Sequence, residues 1–257
     1  MQQITRMEKA LEAAAAAADI QRHYYQGNVA VQTKTDQTPV TVADLESEKA
    51  IREILSAEFP DDGFFGEELG KSDMNADYVW LVDPLDGTKS FVRGYPFFSV
   101  QIALMHADEI VLGVSNAPVF SEIATAEKGK GAFINDEAVH VSDISQFSDM
   151  SLSTGNTRTL AKSVQQWSHL GKLISFVSRI RGYGDFYHYH LLAAGKIDAV
   201  IESDVNVLDI AALSLLVNEA GGQFTDLSGD PVDMRTTSVL ATNGVLHEPI
   251  MKMLTSG

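Results

Sequence analysis

Two aspartates three residues apart, Asp83 and Asp86, follow an apolar run in the stretch WLVDPLDGTKSF. Pro84 fixes one backbone angle and Gly87 frees another, so we expect a rigid tight turn that directs both carboxylates into one crevice. Two anionic side chains repel there unless a cation lies between them, and a hard cation such as Mg²⁺ suits oxygen ligands. Taken alone, the pair is also explained by a strand cap at Asp83 and a turn former at Asp86.

Further acidic residues add to this pair. Glu67 and Glu68 follow an apolar pair and a glycine, and a solvated pair is the simplest explanation for them. Asp44 and Asp209 each come at the start of a segment with helical periodicity, where an acidic residue is most often a helix cap. Each position has a structural explanation on its own, so it is their combination that indicates a metal site.

Composition excludes several other functions. The absence of cysteine rules out disulfides, a thiol nucleophile and thiolate metal sites, so a metal has to be held by oxygen or imidazole. The net charge of −16 argues against nucleic acid or an anionic membrane as a partner, because phosphate backbones are bound by Lys and Arg patches. Apolar runs are too short to span a bilayer, and Glu12 and Asp19 interrupt the alanine-rich first segment, so we expect a cytoplasmic protein.

Periodicity predicts mostly α+β structure in the first part of the chain. A long helix is expected from about Thr5 to Tyr25, and a second helix after Asp44. The other elements expected in this part are a loop over residues 31–44, a turn region over 61–73, a strand over 78–84 and an antiparallel meander over 99–139.

Beyond about residue 145 strands and helices alternate, which favours an α/β arrangement. The chain is therefore divided into an N-terminal α+β part, residues 1–145, and a C-terminal α/β part, residues 146–257, that pack as one body. The first part contains most of the candidate ligands. The predicted elements of the second part are strands at 150–156, 174–182 and 197–203 and helices at 159–173, 185–195 and 209–221.

The order GEE, then WLVDPLDGTKSF, then LDIAALSLLVNEAGG resembles the signature motifs of the inositol monophosphatase superfamily of metal-dependent, lithium-sensitive phosphatases. TKTDQTPVTVADLESEKAI and EKGKGAFIND also match in order and spacing, so the resemblance covers nearly the whole chain. TKTDQTPVTVAD and RGYGDFYHYHLLAAGKIDAVIE are most similar to the histidinol-phosphate phosphatase branch. The resemblance implies an α/β fold of the αβαβα sandwich type and a homodimer.

This resemblance implies a site for two to three Mg²⁺ ions. Glu67, Asp83 and the carbonyl oxygen of Leu85 would hold one ion, and Asp83, Asp86 and Asp209 a second. A third, weaker ion would lie near Glu67 through water. In such a site one ion makes a nucleophile from its water and the other stabilises the leaving oxygen. The carboxylates would hold the cations that meet the phosphate, which reconciles an acidic protein with an anionic substrate.

The catalytic residues implied by the resemblance are Thr88, Asp44 and Glu67. Thr88, paired with Asp44, would orient and deprotonate the attacking water. Backbone N–H groups of Gly87 and Thr88 would bind phosphate oxygens, and Asp209 would also border the substrate. The reaction expected is Mg²⁺-dependent hydrolysis of a phosphate monoester.

Gly184, Asp185 and Glu202 match positions that in the family line the pocket for the alcohol part of the substrate. A carboxylate there suits the ammonium of histidinol phosphate, through a charge-assisted hydrogen bond. Histidinol phosphate is therefore the expected substrate, in histidine biosynthesis. Inositol-1-phosphate or another small sugar or polyol phosphate is the alternative, and an inactive regulatory homologue is a remote one. Asp185 is equally well explained as a helix cap.

Three other residues near these motifs have simpler explanations. His188 and His190 lie two apart on a predicted helix, where they face different directions and cannot bind one ion together; we expect surface or subunit-interface positions. Lys34 is expected in a polar loop, either near the third metal and the phosphate or simply solvated. Leu208 departs from the family, which usually has an aromatic residue before the aspartate equivalent to Asp209, but we expect the metal site to persist.

Overall fold

Helices and short strands alternate along the computed structural model, which describes residues 5–25, 31–33 and 39–255. The helices in these ranges are α1 Arg6–Tyr25, α2 Val42–Glu58, α3 Thr88–Val92, α4 Arg158–Lys162, α5 Val164–Ile174, α6 Tyr187–Ala193, α7 Val207–Glu219 and α8 His247–Thr255. The strands are β1 Val31–Thr33, β2 Pro39–Thr41, β3 Gly63–Gly66, β4 Gly70–Ser72, β5 Tyr78–Asp86, β6 Ser99–His106, β7 Glu109–Ala117, β8 Glu122–Glu127, β9 Gly131–Ile134, β10 Glu137–Val139, β11 Ser151–Thr154, β12 Arg179–Arg181, β13 Ala199–Ser203, β14 Gln223–Thr225 and β15 Ser238–Thr242. Within the part of the chain that the structure describes, none of the helices combines the length and apolarity needed to cross a membrane.

Most strands belong to two mixed sheets. The first has eight strands in the order β10-β9-β8-β7-β6-β5-β3-β4, and its neighbours are antiparallel except for the parallel pair β3 and β5. The second has five strands in the order β12-β11-β13-β15-β14, with parallel pairing on the β12 side and antiparallel pairing on the β14 side. A separate antiparallel pair is formed by β1 and β2.

The helices and sheets stack in five layers. α1 and α2 cover one face of the first sheet, through a core that includes Ala14, Ile51 and Trp80. α6 and α7 lie between the two sheets. α4, α5 and α8 cover the outer face of the second sheet, with Leu160, Leu170 and Ile250 in the contact. This arrangement is the predicted αβαβα sandwich.

The central layer explains the composition of α7. Ten of its 13 residues are buried, because a helix between two sheets has to be apolar nearly all round. The approach of α7 to the first sheet is close, since a Cβ on Gly113 would lie 2.8 Å from the carbonyl oxygen of Ala212. This close packing holds α7 against β7 of the first sheet.

Several elements agree with the sequence predictions. The long first helix is α1, the strand expected at 78–84 lies within β5, and the antiparallel meander is formed by β6 to β10. The alternation of strands and helices after residue 145 is also present. These segments have strong periodicity, which tertiary packing reinforces.

Two predictions in the first part are wrong. The described residues of the expected loop at 31–44 form β1 and β2, whereas the helix start expected at its end is present as the beginning of α2 at Val42. The expected turn region at 61–73 contains the hairpin of β3 and β4. Gly63 and Gly66 are required in β3 because space is short there: a Cβ on Gly63 would lie 2.1 Å from the Asp73 carbonyl oxygen, and one on Gly66 would lie 1.9 Å from Glu48 Oε1. Glycine in a strand often marks such a close approach.

The second part differs in detail. The single helix expected at 159–173 is divided at Ser163, whose side chain caps α5 by accepting a hydrogen bond from the Gln166 N–H. The strand expected at 174–182 is reduced to β12, because α5 continues to Ile174. The predicted boundary between residues 145 and 146 stays a prediction, since α7 belongs to the second part in sequence but packs on both sheets.

A buried histidine joins α8 to the second sheet. His247 Nε2 lies 3.1 Å from the Thr225 hydroxyl, which donates to the Asp226 carbonyl oxygen, so Nε2–H donates to Thr225. The Thr242 hydroxyl accepts from the Gly244 N–H and is left to donate to Nδ1 at 3.1 Å. Both ring nitrogens are therefore satisfied in the uncharged imidazole. Burial lowers the pKa of His247 from its usual 6.5.

We expect acid to remove the stability that His247 provides. A folded pKa below the unfolded one gives stability that is present above the unfolded pKa and lost as pH falls through the folded pKa. His247→Gln should therefore lower the free energy of unfolding by about 2 kcal/mol at about pH 8, and by less at about pH 5.5, in urea titrations. The exposed His140, changed to Gln, is the control and should have no effect at either pH. An equal loss at both pH values in His247→Gln would contradict this prediction.

Candidate active site

Strand pairing brings the predicted metal ligands together. The parallel pairing of β3 and β5 ends with Gly66 opposite Val82, so the next residues, Glu67 and Asp83, come side by side. α7 packs against β5 and β6, and Asp209 lies in its first turn. Three separate elements thus contribute carboxylates to one place.

The predicted tight turn at residues 83–86 is wrong. β5 continues to Asp86, with irregular pairing to β6 between Asp83 and Asp86, and the Leu85 N–H donates to Asp83 Oδ1 at 2.9 Å. This irregularity is a bulge, which redirects side chains at the end of a strand. Gln21 of α1 is fully buried and donates from Nε2 to the Pro84 carbonyl oxygen at 2.7 Å. The helical layer therefore holds the bulge in place.

Gly87 connects the bulge to α3. Its φ is 85°, and a Cβ at this position would lie 2.4 Å from the Phe97 carbonyl oxygen, so both conformation and space require glycine. Thr88 is the first residue of α3, and its hydroxyl lies 3.1 Å from Asp44 Oδ1 and 3.1 Å from the Leu85 carbonyl oxygen. The Thr88 hydroxyl proton therefore has two acceptors in reach, the Asp44 carboxylate and the Leu85 carbonyl oxygen of the bulge.

Asp44 and Asp209 are not the caps of their helices. Thr41 is the N-cap of α2, and Asp44 Oδ2 accepts from the Thr41 N–H at 2.8 Å and hydroxyl at 2.6 Å. Asn206 is the N-cap of α7, and Asp209 accepts from its N–H at 2.9 Å and its side-chain amide at 2.6 Å. Each aspartate is thus the third helical residue of a capping box. The caps fix the orientation of both carboxylates.

Burial and mutual repulsion disfavour the charged forms of these carboxylates. Burial raises the pKa of Asp83 well above its usual range, and the charges of Glu67 and Asp86 raise it further. Burial also raises the pKa of Asp86 well above its usual range, with contributions from Asp185 and Asp209. The pKa of Asp209 is raised to about 7, chiefly by burial and then by Glu67. A bound cation would favour the charged forms instead.

Asp185 lies beside this cluster in a strained backbone conformation. Gly184 has a φ of 74° and Asp185 a φ of 46°, a region in which non-glycine residues are uncommon. The Ser90 hydroxyl donates to Asp185 Oδ2 at 3.3 Å. Burial, and then the charge of Glu202, raise the pKa of Asp185 to about 6. The helix-cap explanation of Asp185 is wrong, because α6 begins at Tyr187 and has no side-chain cap.

Glu202 lies behind Asp185 and is only 3% exposed. Its Oε1 accepts from the Asn156 N–H at 3.1 Å, and its Oε2 accepts from the Tyr189 hydroxyl at 2.8 Å and lies 3.2 Å from His188 Nε2. Burial raises the pKa of Glu202, but His188 and the hydrogen bonds lower it overall below its usual value. Both oxygens are held by protein groups, and a direct contact of Glu202 with substrate stays a prediction.

The predicted surface positions of His188 and His190 are wrong. Both side chains are buried. His188 faces Glu202, whereas His190 Nδ1 lies 2.6 Å from Glu122 Oε1. The two histidines thus contact different carboxylates, as two residues at this spacing must. Lys34 lies outside the described residues.

Glu48 is a residue that the sequence patterns do not single out. Its Oε2 accepts from the Glu68 N–H at 2.7 Å and its Oε1 from the Leu69 N–H at 2.9 Å. It therefore fixes the segment that contains Glu67. The available signal is weak: Glu48 shares its helical face with the buried apolar residues of α2, where an acidic residue is unexpected.

A family model for the inositol monophosphatase family matches residues 2–256. The chain belongs to this family. It is 38% identical over 232 residues to the histidinol-phosphatase of Mycobacterium tuberculosis, covering 88% of each protein. It is 33% identical over 252 residues to the histidinol-phosphatase of Chlorobaculum parvum, covering 98% of this chain and 97% of that protein.

Structural comparison leads to the same family, since the solved structure of an inositol monophosphatase from Anabaena is similar with a TM-score of 0.83 at 30% identity, covering 96% of this chain and 94% of that chain. The solved structure of the extragenic suppressor protein suhB from Bartonella henselae is similar with a TM-score of 0.90 at 34% identity, covering 98% of both chains. The resemblance inferred from the motifs is therefore confirmed, and this inositol monophosphatase family member is a phosphatase. Leu208, its departure from the usual aromatic residue, is buried against Val79 and Leu81 of β5, so it anchors α7 on the first sheet.

The chemistry of the donor set fits a hard dication. Glu67, Asp83, Asp86 and Asp209 supply only oxygen atoms, which Mg²⁺ and Mn²⁺ prefer. As the side chains stand, no group of three or more acidic or histidine residues within residues 5–25, 31–33 and 39–255 is arranged to hold an ion. The fit therefore rests on the type and proximity of the ligands.

We expect Glu48→Ala to damage both stability and turnover. Two backbone N–H groups would lose a carboxylate partner, at a cost of about 2 kcal/mol, and the segment containing Glu67 would lose its fixed position. Urea titration and phosphate release measure the two effects. Glu53→Ala, an exposed change on the same helix, is the control and should leave both unchanged. Normal turnover in Glu48→Ala would refute the positioning role.

Proposed function

We propose that this member of the inositol monophosphatase family hydrolyses histidinol phosphate to histidinol and phosphate. The observation on which this rests is the half-buried carboxylate of Asp185 beside Asp86, at the edge of the acidic cluster. A partly buried carboxylate gains most from a cationic partner, and the ammonium of histidinol phosphate is such a partner. The similarity to two histidinol-phosphatases supports the same substrate.

Two to three Mg²⁺ ions are proposed as cofactors. Glu67, Asp83 and the Leu85 carbonyl oxygen would hold one ion, and Asp83, Asp86 and Asp209 a second, with a third near Glu67. When bound, the ions would neutralise the phosphate charge and supply a water acidic enough to attack near neutral pH. This assignment is supported by the proximity of the carboxylates, whose repulsion a dication would relieve.

The residues of the chain would then orient the reactants. The Thr88 hydroxyl donates a hydrogen bond to the Asp44 carboxylate. In the proposed reaction the Thr88 hydroxyl would orient the attacking water, accept a proton from it and pass its own proton to Asp44. Burial raises the pKa of Asp44, which strengthens it as a proton acceptor. The N–H groups of Gly87 and Thr88 would bind phosphate oxygens. Asp185, with Gly184 and Glu202 beside it, would bind the alcohol part.

Two alternatives remain for the same fold. Inositol-1-phosphate, or another small sugar or polyol phosphate, would use the same ligands, and the name of the family favours this class. An inactive regulatory homologue would be expected to have lost one of the ligands or Thr88, and all of them are present. A homodimer, a cytoplasmic location and a place in histidine biosynthesis stay predictions.

The direct test is phosphate release with Mg²⁺, comparing histidinol phosphate with inositol-1-phosphate, with and without a chelator. We expect histidinol phosphate to be preferred at least about 100-fold in kcat/KM, roughly 2.7 kcal/mol of transition-state discrimination. Equal rates, or preference for inositol-1-phosphate, would remove the substrate assignment but keep the chemistry. Activity that survives the chelator would remove the metal assignment.

Asp86→Asn should abolish turnover without unfolding the protein. The change removes one negative charge from the second proposed metal site, so phosphate release should fall by on the order of 1,000-fold. Thermal unfolding should be unchanged or shifted upward, because a repelling charge is lost. The control is Asp77, an exposed residue just before the first residue of β5, and Asp77→Asn should give wild-type turnover. Wild-type turnover in Asp86→Asn would refute the assigned site.

Asp185→Asn should discriminate between the two substrate classes. Loss of a charged hydrogen bond to the ammonium should raise KM for histidinol phosphate about 10-fold, and KM for inositol-1-phosphate by less than about twofold. Asp136 also has a positive φ but lies in an exposed turn, so Asp136→Asn controls for the backbone conformation. Equal changes for both substrates would remove the reason for preferring the amine.

A further inference from the structure

A chain of buried polar side chains leads from Asp86 through the first sheet to α6. In order from the site, its members are Asp86, Ser99, Gln101, Ser115, His190 and Glu122. Ser99, Gln101, Ser115 and His190 are each 2% exposed or less. Polar groups this deeply buried are costly unless they are paired, so an unbroken line of them needs a physical explanation.

The part of this polar chain that lies nearest the site is organised by the side-chain amide of Gln101. Gln101 donates from Nε2 to the Ser99 hydroxyl at 2.8 Å and to the Ser115 hydroxyl at 3.0 Å. The Ser99 hydroxyl in turn donates to Asp86 Oδ2 at 3.4 Å, the longest link of the chain. The amide hydrogens thus order the hydroxyl of Ser99 so that its own proton points to the carboxylate.

The other half ends on α6. His190 Nε2 lies 2.8 Å from the Ser115 hydroxyl, and His190 Nδ1 lies 2.6 Å from Glu122 Oε1. Ser115 accepts from Gln101, so its hydroxyl proton is free to point to His190. On the opposite side of α6, His188 contacts Glu202 of the second sheet. The two histidines therefore attach α6, and the pocket residue Asp185 just before it, to both sheets.

This chain is suited to positioning and not to proton transport. A proton relay needs every member to accept one proton and donate another, whereas the amide nitrogen of Gln101 only donates. The Gln101 Oε1 atom is buried and has no hydrogen-bond partner among the described residues. An unsatisfied buried carbonyl oxygen costs stability, and such costs are typical of functional sites.

We propose that Gln101, through Ser99, is a positioning residue for Asp86, and that Ser115 and His190 connect this position to α6. The inference rests on the proposed function, in which Asp86 is a metal ligand. Hydrogen bonds that orient a ligand commonly affect metal affinity 10- to 100-fold, roughly. The network would make the geometry of the metal site depend on the helix that borders the substrate pocket.

The test is a titration of the metal-free full-length protein with Mn²⁺, which takes the same oxygen ligands, following free Mn²⁺ by electron paramagnetic resonance. Gln101→Met keeps the side-chain volume and removes both hydrogen bonds and the unpaired oxygen. We expect it to weaken Mn²⁺ binding about 10-fold, with a thermal midpoint that is unchanged or higher. Ser115→Ala, more distant from Asp86, should weaken binding at least about threefold.

Ser214→Ala is the matched control, since it removes another buried serine hydroxyl, which among the described residues is bonded only to the Ala211 carbonyl oxygen of its own helix. It should leave Mn²⁺ affinity within about twofold of the wild type. If both network variants bind Mn²⁺ like Ser214→Ala, the inference is wrong while the metal site stands. If the wild type binds no Mn²⁺, the proposed function fails and the inference with it. Should Gln101→Met not fold, Ser115→Ala decides the outcome.

Discussion

The repulsion between buried carboxylates is the constraint on which the rest of this structure depends. Burial raises the pKa values of Asp83, Asp86 and Asp209, and the charge of the neighbouring Glu67 raises each of them further. Without fixed supports, such side chains would turn toward solvent or take up protons. The neighbouring elements therefore have to hold the carboxylates together in spite of their charge. This arrangement lowers the stability of the fold, and the proposed cation would offset that cost.

The supports come from several layers of the sandwich. Gln21 of α1 holds the bulge of β5, Glu48 of α2 holds the segment after β3, and Asn206 orients Asp209 at the start of α7. Each support is a hydrogen bond with a residue distant in sequence or with a helix cap. No support depends on a long loop. The rigidity that the proposed metal-dependent catalysis needs is thus supplied by the packing of helices on the first sheet.

Much of the fold and the class of reaction could be predicted from the sequence, because both depend on strong local patterns. The helical period of α1 and the motif around Asp83 need no knowledge of distant residues. The supports could not be predicted in this way. Glu48 has a partner in another segment, the glycines of β3 are needed because of Asp73 and Glu48, and His190 is buried only because β7 and β8 cover it. Those features are set by tertiary contacts.

The contrast between local patterns and tertiary contacts also explains why the sequence predicts the class of reaction better than it predicts the substrate. The proposed metal ligands lie at the ends of β3, β5 and α7, whose packing on the first sheet is dictated by the core. The proposed pocket residues Gly184 and Asp185 lie in a short segment with positive φ values, just before α6 and its two buried histidines. A small change in that segment that leaves α6 in place would alter which alcohol fits without moving a metal ligand. A change that moves α6 would also reach Asp86 through the proposed network, so specificity would vary independently of the chemistry only while α6 keeps its position.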